Sequence, residues 1–209
     1  MNPTLPQLDD PNALPFVVLA SASPRRRSMF EQAGIRHAVL PAPGQGEPGV
    51  WVVALAYFKA ASSVHQVVRD PGPSGMDRTV RTVVVGADTV CVHDGRVLGQ
   101  PADEDEARSM IEAMSDAEHE VLTGIAIVDP LTGRRELFID RSLVRVGKVS
   151  AQQIDDYIRS GQWHGKAGGY NITERIAAGW PIEFEGDETS IVGMPMSRTL
   201  ERVAAFFVD

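Results

Sequence analysis

EVLTGIAIVDPLTGRRELFIDRSLVRV, residues 120–146, decides the fold. Two apolar runs, 120–129 and 137–146, flank PLTGRR, whose proline and glycine are turn residues. That pattern predicts a long antiparallel strand pair. Immediately upstream, RTVVVGADTVCVHDGRVLG (81–99) predicts an apolar strand, a break at its Gly-Ala-Asp, and a hairpin turning on Asp94-Gly95. Asp103 and Glu106 then stand at capping-box spacing, and Ala107, Met110, Ile111 and Met114 follow at helical intervals. Downstream, SAQQIDDYIRSG (150–161) reads as a short helix with Ser150 before it and Gly161 after it. Strand-like pieces at 180–193 and a helix over 197–207 close the chain. Toward the N-terminus the pattern predicts strands at 16–20 and 37–40 and helices at 24–33 and 50–68. Ser23 is placed to cap the first helix, Pro24 suits its first position and Gly34 its end. The sum is an α/β protein with a mixed sheet and flanking helices, without a strict βαβ repeat and without internal repeats.

The chain of 209 residues is long enough for a substantial core, with 43% hydrophobic and 23% charged residues. A net charge of −8 excludes a general nucleic-acid binder, which needs a broad basic face, but leaves room for one basic pocket. The single cysteine, Cys91, permits no internal disulfide, lies in an apolar run and reads as packing; a reducing, cytoplasmic location is expected. No stretch approaches the roughly 20 apolar residues of a membrane span. Residues 1–15 read as a loose tail without signal-peptide character, ahead of a single domain over 16–209. Two Pro/Gly-rich surface loops are expected, at 41–49 and 69–79.

Three segments carry chemistry. SASPRRR (21–27) places Ser21, Ser23, Arg25 and Arg26 where an apolar strand passes into a helix. A helix N-terminus favours anions, so arginines there oppose the dipole unless a phosphate is expected. Serine hydroxyls and guanidinium forks both suit phosphate oxygens. VVVGADTV (83–90) brings Asp88 to the end of an apolar run, a common place for a carboxylate that orients water or holds a divalent ion, and equally for a turn aspartate. GQWHGKAGGYNI (161–172) sets Lys166 among glycines that let backbone approach a ligand, or simply make a tight loop. No GxGxxG or GxxxxGK[ST] loop is present.

In order, SASPRR, LAYFKA, GADTV, EHEVLTG, GKAGGYNI and GDETSIVGMP resemble the Maf family, the septum-formation-inhibitor-like nucleoside triphosphate pyrophosphatases. The resemblance runs from about Val17 to the C-terminus. It implies an elongated mixed sheet with flanking helices and a central cleft between two lobes. It also implies hydrolysis of a nucleoside triphosphate between the α- and β-phosphates, a divalent metal (Mg²⁺ or Mn²⁺), and often a homodimer. Carried over position by position, Ser21, Ser23, Arg25, Arg26, Lys59 and Lys166 stand on phosphate-binding positions. Asp88 stands on the catalytic aspartate, with metal binding as a further role. The alternative is a Maf-like protein that holds a nucleotide without turnover and regulates cell division.

The sequence also departs from the pattern. Gln100-Pro101 stands where the family carries Lys-Pro, and Thr173 where it carries glutamine; both are possible substrate contacts. The glutamate that the family carries after its second strand has Glu47 as its nearest candidate. Trp163, Tyr170 and Trp180 read as packing more than as base-stacking groups, the acidic run Glu183, Glu185, Asp187, Glu188 as a solvated face, and His93 and His119 as structural. A neutral amide bonds a phosphate oxygen without balancing its charge. Gln100→Lys is therefore expected to raise turnover of nucleoside triphosphates, measured as pyrophosphate release; an unchanged or lower rate contradicts this.

Overall fold

The computed structural model describes residues 17–19, 24–39, 47–69 and 82–206. The expected tail at 1–15, Ser21, Ser23 and most of both Pro/Gly-rich loops lie outside those residues. The chain divides into two units, Met1–Glu47 and Pro48–Asp209.

In the first unit, β1 (Val17–Leu19) and β2 (His37–Val39) pair in parallel, Val17 opposite His37, and α1 (Pro24–Gln32) makes the crossover that parallel strands require. Gly34 takes the left-handed conformation (φ 68°) and Ile35 N donates to Phe30 O at 3.0 Å, which closes the helix. The first turn of α1 contains no acidic residue, and Arg27 pairs one turn on with Glu31 at 2.8 Å.

The second unit is built on a five-stranded antiparallel sheet in the order β4-β3-β5-β6-β7. Its members are β3 (Val84–His93), β4 (Arg96–Leu98), β5 (Ala117–Val128), β6 (Arg135–Val146) and β7 (Ile182–Glu185). The long pair expected from 120–146 is β5 and β6, in register from Ala117 opposite Val146 to Val128 opposite Arg135. The turn between them is tied by Asp129, whose Oδ1 accepts from Leu131 N at 2.8 Å and Thr132 N at 3.1 Å. The β3–β4 hairpin turns on Asp94 (φ 49°) and Gly95 (φ 72°), the two left-handed positions of a two-residue turn.

Two expectations are corrected. The chain does not break at Gly-Ala-Asp: β3 runs through it, pairing continuously with β5 from Val84 to Val92. Gly86 is in the strand because α2 (Pro48–Arg69) lies directly on it, and a Cβ there would overlap the Ala56 carbonyl. The strand-like region 180–193 is only partly strand: after β7, Asp187 caps a helical turn, α6 (Glu188–Val192), accepting from Thr189 N at 2.8 Å.

Strand alternation divides the sheet into two faces. On one, Gly86, Val90, Val92, Leu122, Gly124, Ala126 and Val128 meet the small inner residues of α2, Val52, Ala56 and Ala60. On the other, Cys91, Val121 and Val144 pack under α3 (Glu104–Met114) and α4 (Ala151–Arg159), with Tyr157, Trp163 and Trp180 buried among them. Both tryptophans are thus core residues. Ile125, Ile127 and Phe138 continue that face to Phe206, just after α7 (Met196–Ala205). The caps expected for α3 and α4 are present: Asp103 accepts from Glu106 N at 2.8 Å, and Ser150 and Gln153 form a reciprocal box. Glu106 turns instead to Ala102 N, at 2.7 Å.

Gly124 fixes how close α2 can come. A Cβ there would lie 2.6 Å from Val53 N and Val52 C, helix backbone that cannot step aside locally. Gly124→Ala is expected to cost about 1–3 kcal/mol in urea unfolding, the usual penalty of overpacking. Gly99→Ala, where nothing lies within 4 Å, should stay near the parent.

Candidate functional site

Asp88 lies on the α2 face of β3, two residues beyond Gly86 and opposite Gly124. Lys59 sits beside Ala60, one of the residues on which α2 rests against the strand. Its ammonium reaches Asp88 Oδ1 at 2.5 Å and the carbonyl of Ala87 at 3.2 Å. The Asp88 side chain is 18% exposed and that of Lys59 56%, so a sheltered carboxylate is joined to a cation open to solvent. The structure thus brings together two of the residues singled out in the sequence.

Lys166 belongs to the other face. It lines a cavity of about 240 Å³ with Thr89, Cys91, His119, Tyr170 and Asn171. Thr89 and Cys91 alternate with Asp88 along β3, so cavity and carboxylate lie on opposite sides of the sheet. Among the described strands, the outer edge of β3 is the border between these two faces that carries Asp88 and Thr89. There β4 pairs with Cys91–His93, and among the described residues no strand pairs with the earlier part of that edge.

The Lys166 loop is held by its backbone. Gly168 and Gly169 are left-handed (φ 68° and 77°), Gly168 N donates to Gly99 O at 2.9 Å, and Tyr157 Oη donates to Gly169 O at 2.8 Å. The first of these bonds sets the loop beside the segment that carries Gln100, which is exposed, as is Thr173. Beyond the loop, Asn171 caps α5 (Ile172–Ala177), accepting from Glu174 N at 3.1 Å. The ammonium of Lys166 is bonded to the carboxylate of Glu174.

The cavity floor is uncharged. His119 is buried, and its Nε2 lies 2.7 Å from Tyr170 Oη. Desolvation, with a smaller contribution from His93, lowers its pKa to about 4. Burial pushes the Tyr170 phenol well above its ordinary value and the Cys91 thiol up to about 12. Cys91 is therefore a packing thiol, not a nucleophile. α6 itself is fastened to the sheet: Thr89 Oγ1 and Thr123 Oγ1 lie 2.8 Å apart, and Thr123 Oγ1 donates to Ser190 O at 2.7 Å.

Of the remaining candidates, Arg25 and Arg26 lie in the first turn of α1, and Arg26 is exposed. In the acidic run, Glu183, Glu185 and Glu188 are exposed and Asp187 serves as the cap of α6. Among the described residues no three His, Cys, Asp or Glu side chains are grouped as a metal cage. Asp88 alone still fits a magnesium-type ion, which commonly uses one or two carboxylates and takes its other oxygens from water and substrate phosphates. Sequence reasoning missed Glu174 and the His119–Tyr170 pair. The Asn-Ile-Thr-Glu spacing at 171–174 is a capping pattern that pointed to the first.

Comparison with known proteins follows the same elements. The profile of the family described as Maf-like protein matches residues 16–206. Three proteins called dTTP/UTP pyrophosphatase are similar over nearly their whole lengths. The one from Geobacillus sp. (strain WCH70) is 37% identical over 193 residues, 90% of this chain and 96% of the relative. That from Salinibacter ruber is 32% identical over 209 residues, 100% and 97% of the two chains. That from Symbiobacterium thermophilum is 38% identical over 197 residues, 91% and 93%. No described helix is long and apolar enough to cross a membrane.

Between pH 6.5 and 4 an unfolded chain binds a proton on this histidine that the folded chain refuses. Folding stability must then fall as pH drops through that window, by about 3 kcal/mol from His119 alone. Melting curves at pH 7 and 4.5 should differ less for His119→Gln than for the parent; an equal difference contradicts the assignment.

Proposed function

This chain belongs to the Maf family, and on that premise we propose that it is a nucleoside triphosphate pyrophosphatase. Water attacks the α-phosphorus, the bond to the α–β bridging oxygen breaks, and nucleoside monophosphate and pyrophosphate leave. The observation that carries this reading is the Lys59–Asp88 pair, a sheltered carboxylate on β3 joined to a solvent-exposed cation on α2. Asp88 orients the attacking water and accepts its proton. Lys59 moves from Asp88 to the phosphates as charge passes to the leaving group, and Lys166 supplies a second cation from the cavity side. A nucleoside seated in the cavity would send its phosphates around the outer edge of β3, which links the two faces. The cavity's size and its neutral His119 and Tyr170 suit a base and sugar better than a polyanion.

The names of the relatives make dTTP and UTP the first substrates to try. Ser21, Ser23, Arg25 and Arg26 are proposed as phosphate ligands on residue chemistry and family resemblance, and Gln100 and Thr173 as neutral polar neighbours of the substrate. A divalent ion, when bound, would supply charge neutralisation on the phosphate oxygens, with Asp88 as its protein ligand. We place the protein among enzymes, not regulatory nucleotide binders, because its relatives carry a catalytic name and Lys59, Asp88 and Lys166 are all present.

Asp88→Asn should fold as the parent does and lose about 10²–10³-fold in pyrophosphate release from dTTP or UTP, the usual effect of removing one transition-state group. Assays with Mg²⁺ and with Mn²⁺ complete the test. Release at the parent rate would overturn the role of Asp88, and nucleotide-stabilised folding of the parent without any turnover would favour the regulatory reading.

A further inference from the structure

Among the described residues that line the cavity, Lys166 is the one lysine or arginine, and its charge is already taken. Its partner, Glu174, lies in the first turn of α5, three residues after the Asn171 cap. A glutamate in that position commonly folds back onto the backbone N–H of the cap residue. Here its carboxylate reaches Lys166. The Lys166 side chain, which lines the cavity, is 22% exposed and that of Glu174, which does not line it, 47%, so the pair is open to solvent and to an incoming anion.

Both backbones are fixed. The lysine loop is pinned to Gly99 and Tyr157, and α5 is anchored by buried Ile172 and by Arg175, whose guanidinium stacks on Tyr157 at 4.3 Å. What can change is the partner chosen by a long, flexible ammonium chain. We propose that Glu174 is a positioning residue that competes with phosphate for Lys166 and so limits how tightly that lysine holds polyphosphate. This rests on Lys166 being a phosphate ligand.

Without ligand, Glu174 cancels the lysine's charge and holds the chain in one place. When a triphosphate enters, Lys166 exchanges a carboxylate for phosphate oxygens. Glu174 is then left unpaired beside a multiply charged anion and repels it. The same repulsion acts on the product pyrophosphate and favours its release. A partly exposed ion pair is weak, so the exchange is easy and the effect modest, about three- to tenfold in affinity.

The test uses inorganic pyrophosphate as the probe, with its dissociation constant measured by calorimetry at low and high salt. The proteins are the parent, Glu174→Gln, Lys166→Met and the double variant, each checked by thermal melting. Glu174→Gln keeps the size of the side chain and removes its charge. It should bind pyrophosphate about three- to tenfold tighter, lower KM for UTP by a similar factor without raising kcat, and lose this advantage in high salt. In the Lys166→Met background the competition is gone and only the repulsion of the anion by Glu174 remains, so the same change should produce a smaller shift. If Lys166→Met weakens pyrophosphate binding but Glu174→Gln leaves it unchanged or weaker, Glu174 only supports the lysine and the proposal fails by itself. If Lys166→Met binds as the parent does, the phosphate role of Lys166 fails, and the competition with it.

Discussion

The close approach of α2 to the sheet is the constraint on which the second unit depends. Gly86 and Gly124 on neighbouring strands leave no Cβ between helix and strand backbones, and Ala56, Ala60 and Ala126 complete a contact made of small side chains. The consequence is chemical as well as steric. With the helix backbone seated on β3, a lysine beside Ala60 spans only the distance to the next inward-facing residue of the strand, and that residue is Asp88. A bulkier layer would lift α2 and separate the pair. Packing and site are one device here.

The same alternation that delivers Asp88 to the helix sends Thr89 and Cys91 to the opposite face. The residues singled out for phosphate chemistry in this unit therefore form two groups, Lys59 with Asp88 under α2 and Lys166 in the cavity. Each lysine already has a carboxylate partner. Such pairing avoids an uncompensated cluster of cations, which would otherwise cost stability, and under the proposed function it would make phosphate binding an exchange of partners. The neutral, buried His119–Tyr170 pair fits the same division: charge is kept at the rims, and the cavity floor has hydrogen-bonding groups that stay uncharged at neutral pH.

Much of this was legible in the sequence, for physical reasons. The β5–β6 pair announces itself because long apolar runs around a polar turn have few other solutions, and the capped helices because Ser150, Gln153 and Asp103 bond locally. The break expected at Gly-Ala-Asp did not occur, because glycine marks both turns and places where another backbone comes close, and only the tertiary contact with Ala56 tells them apart. Thr189, Ile191 and Val192 are residues that favour strands, but the Asp187 cap turns 188–192 into a helix. Asp88, Lys59 and Lys166 were singled out in the sequence, and the structure shows where each lies. Their separation onto two faces follows from period-two alternation once β3 is continuous, and was hidden by the break. Glu174 was invisible as a partner of Lys166 because that pairing joins a loop to a helix turn.

The central claim is that Lys59 and Asp88 face the bond to be cleaved. It is tested most directly by a crystal structure of this protein with UTP carrying a methylene group between the α- and β-phosphorus atoms. The α-phosphate should lie beside Asp88, with the Lys59 ammonium moved from Oδ1 onto phosphate oxygens. A triphosphate bound away from the edge of β3, with the Lys59–Asp88 pair intact, would contradict it.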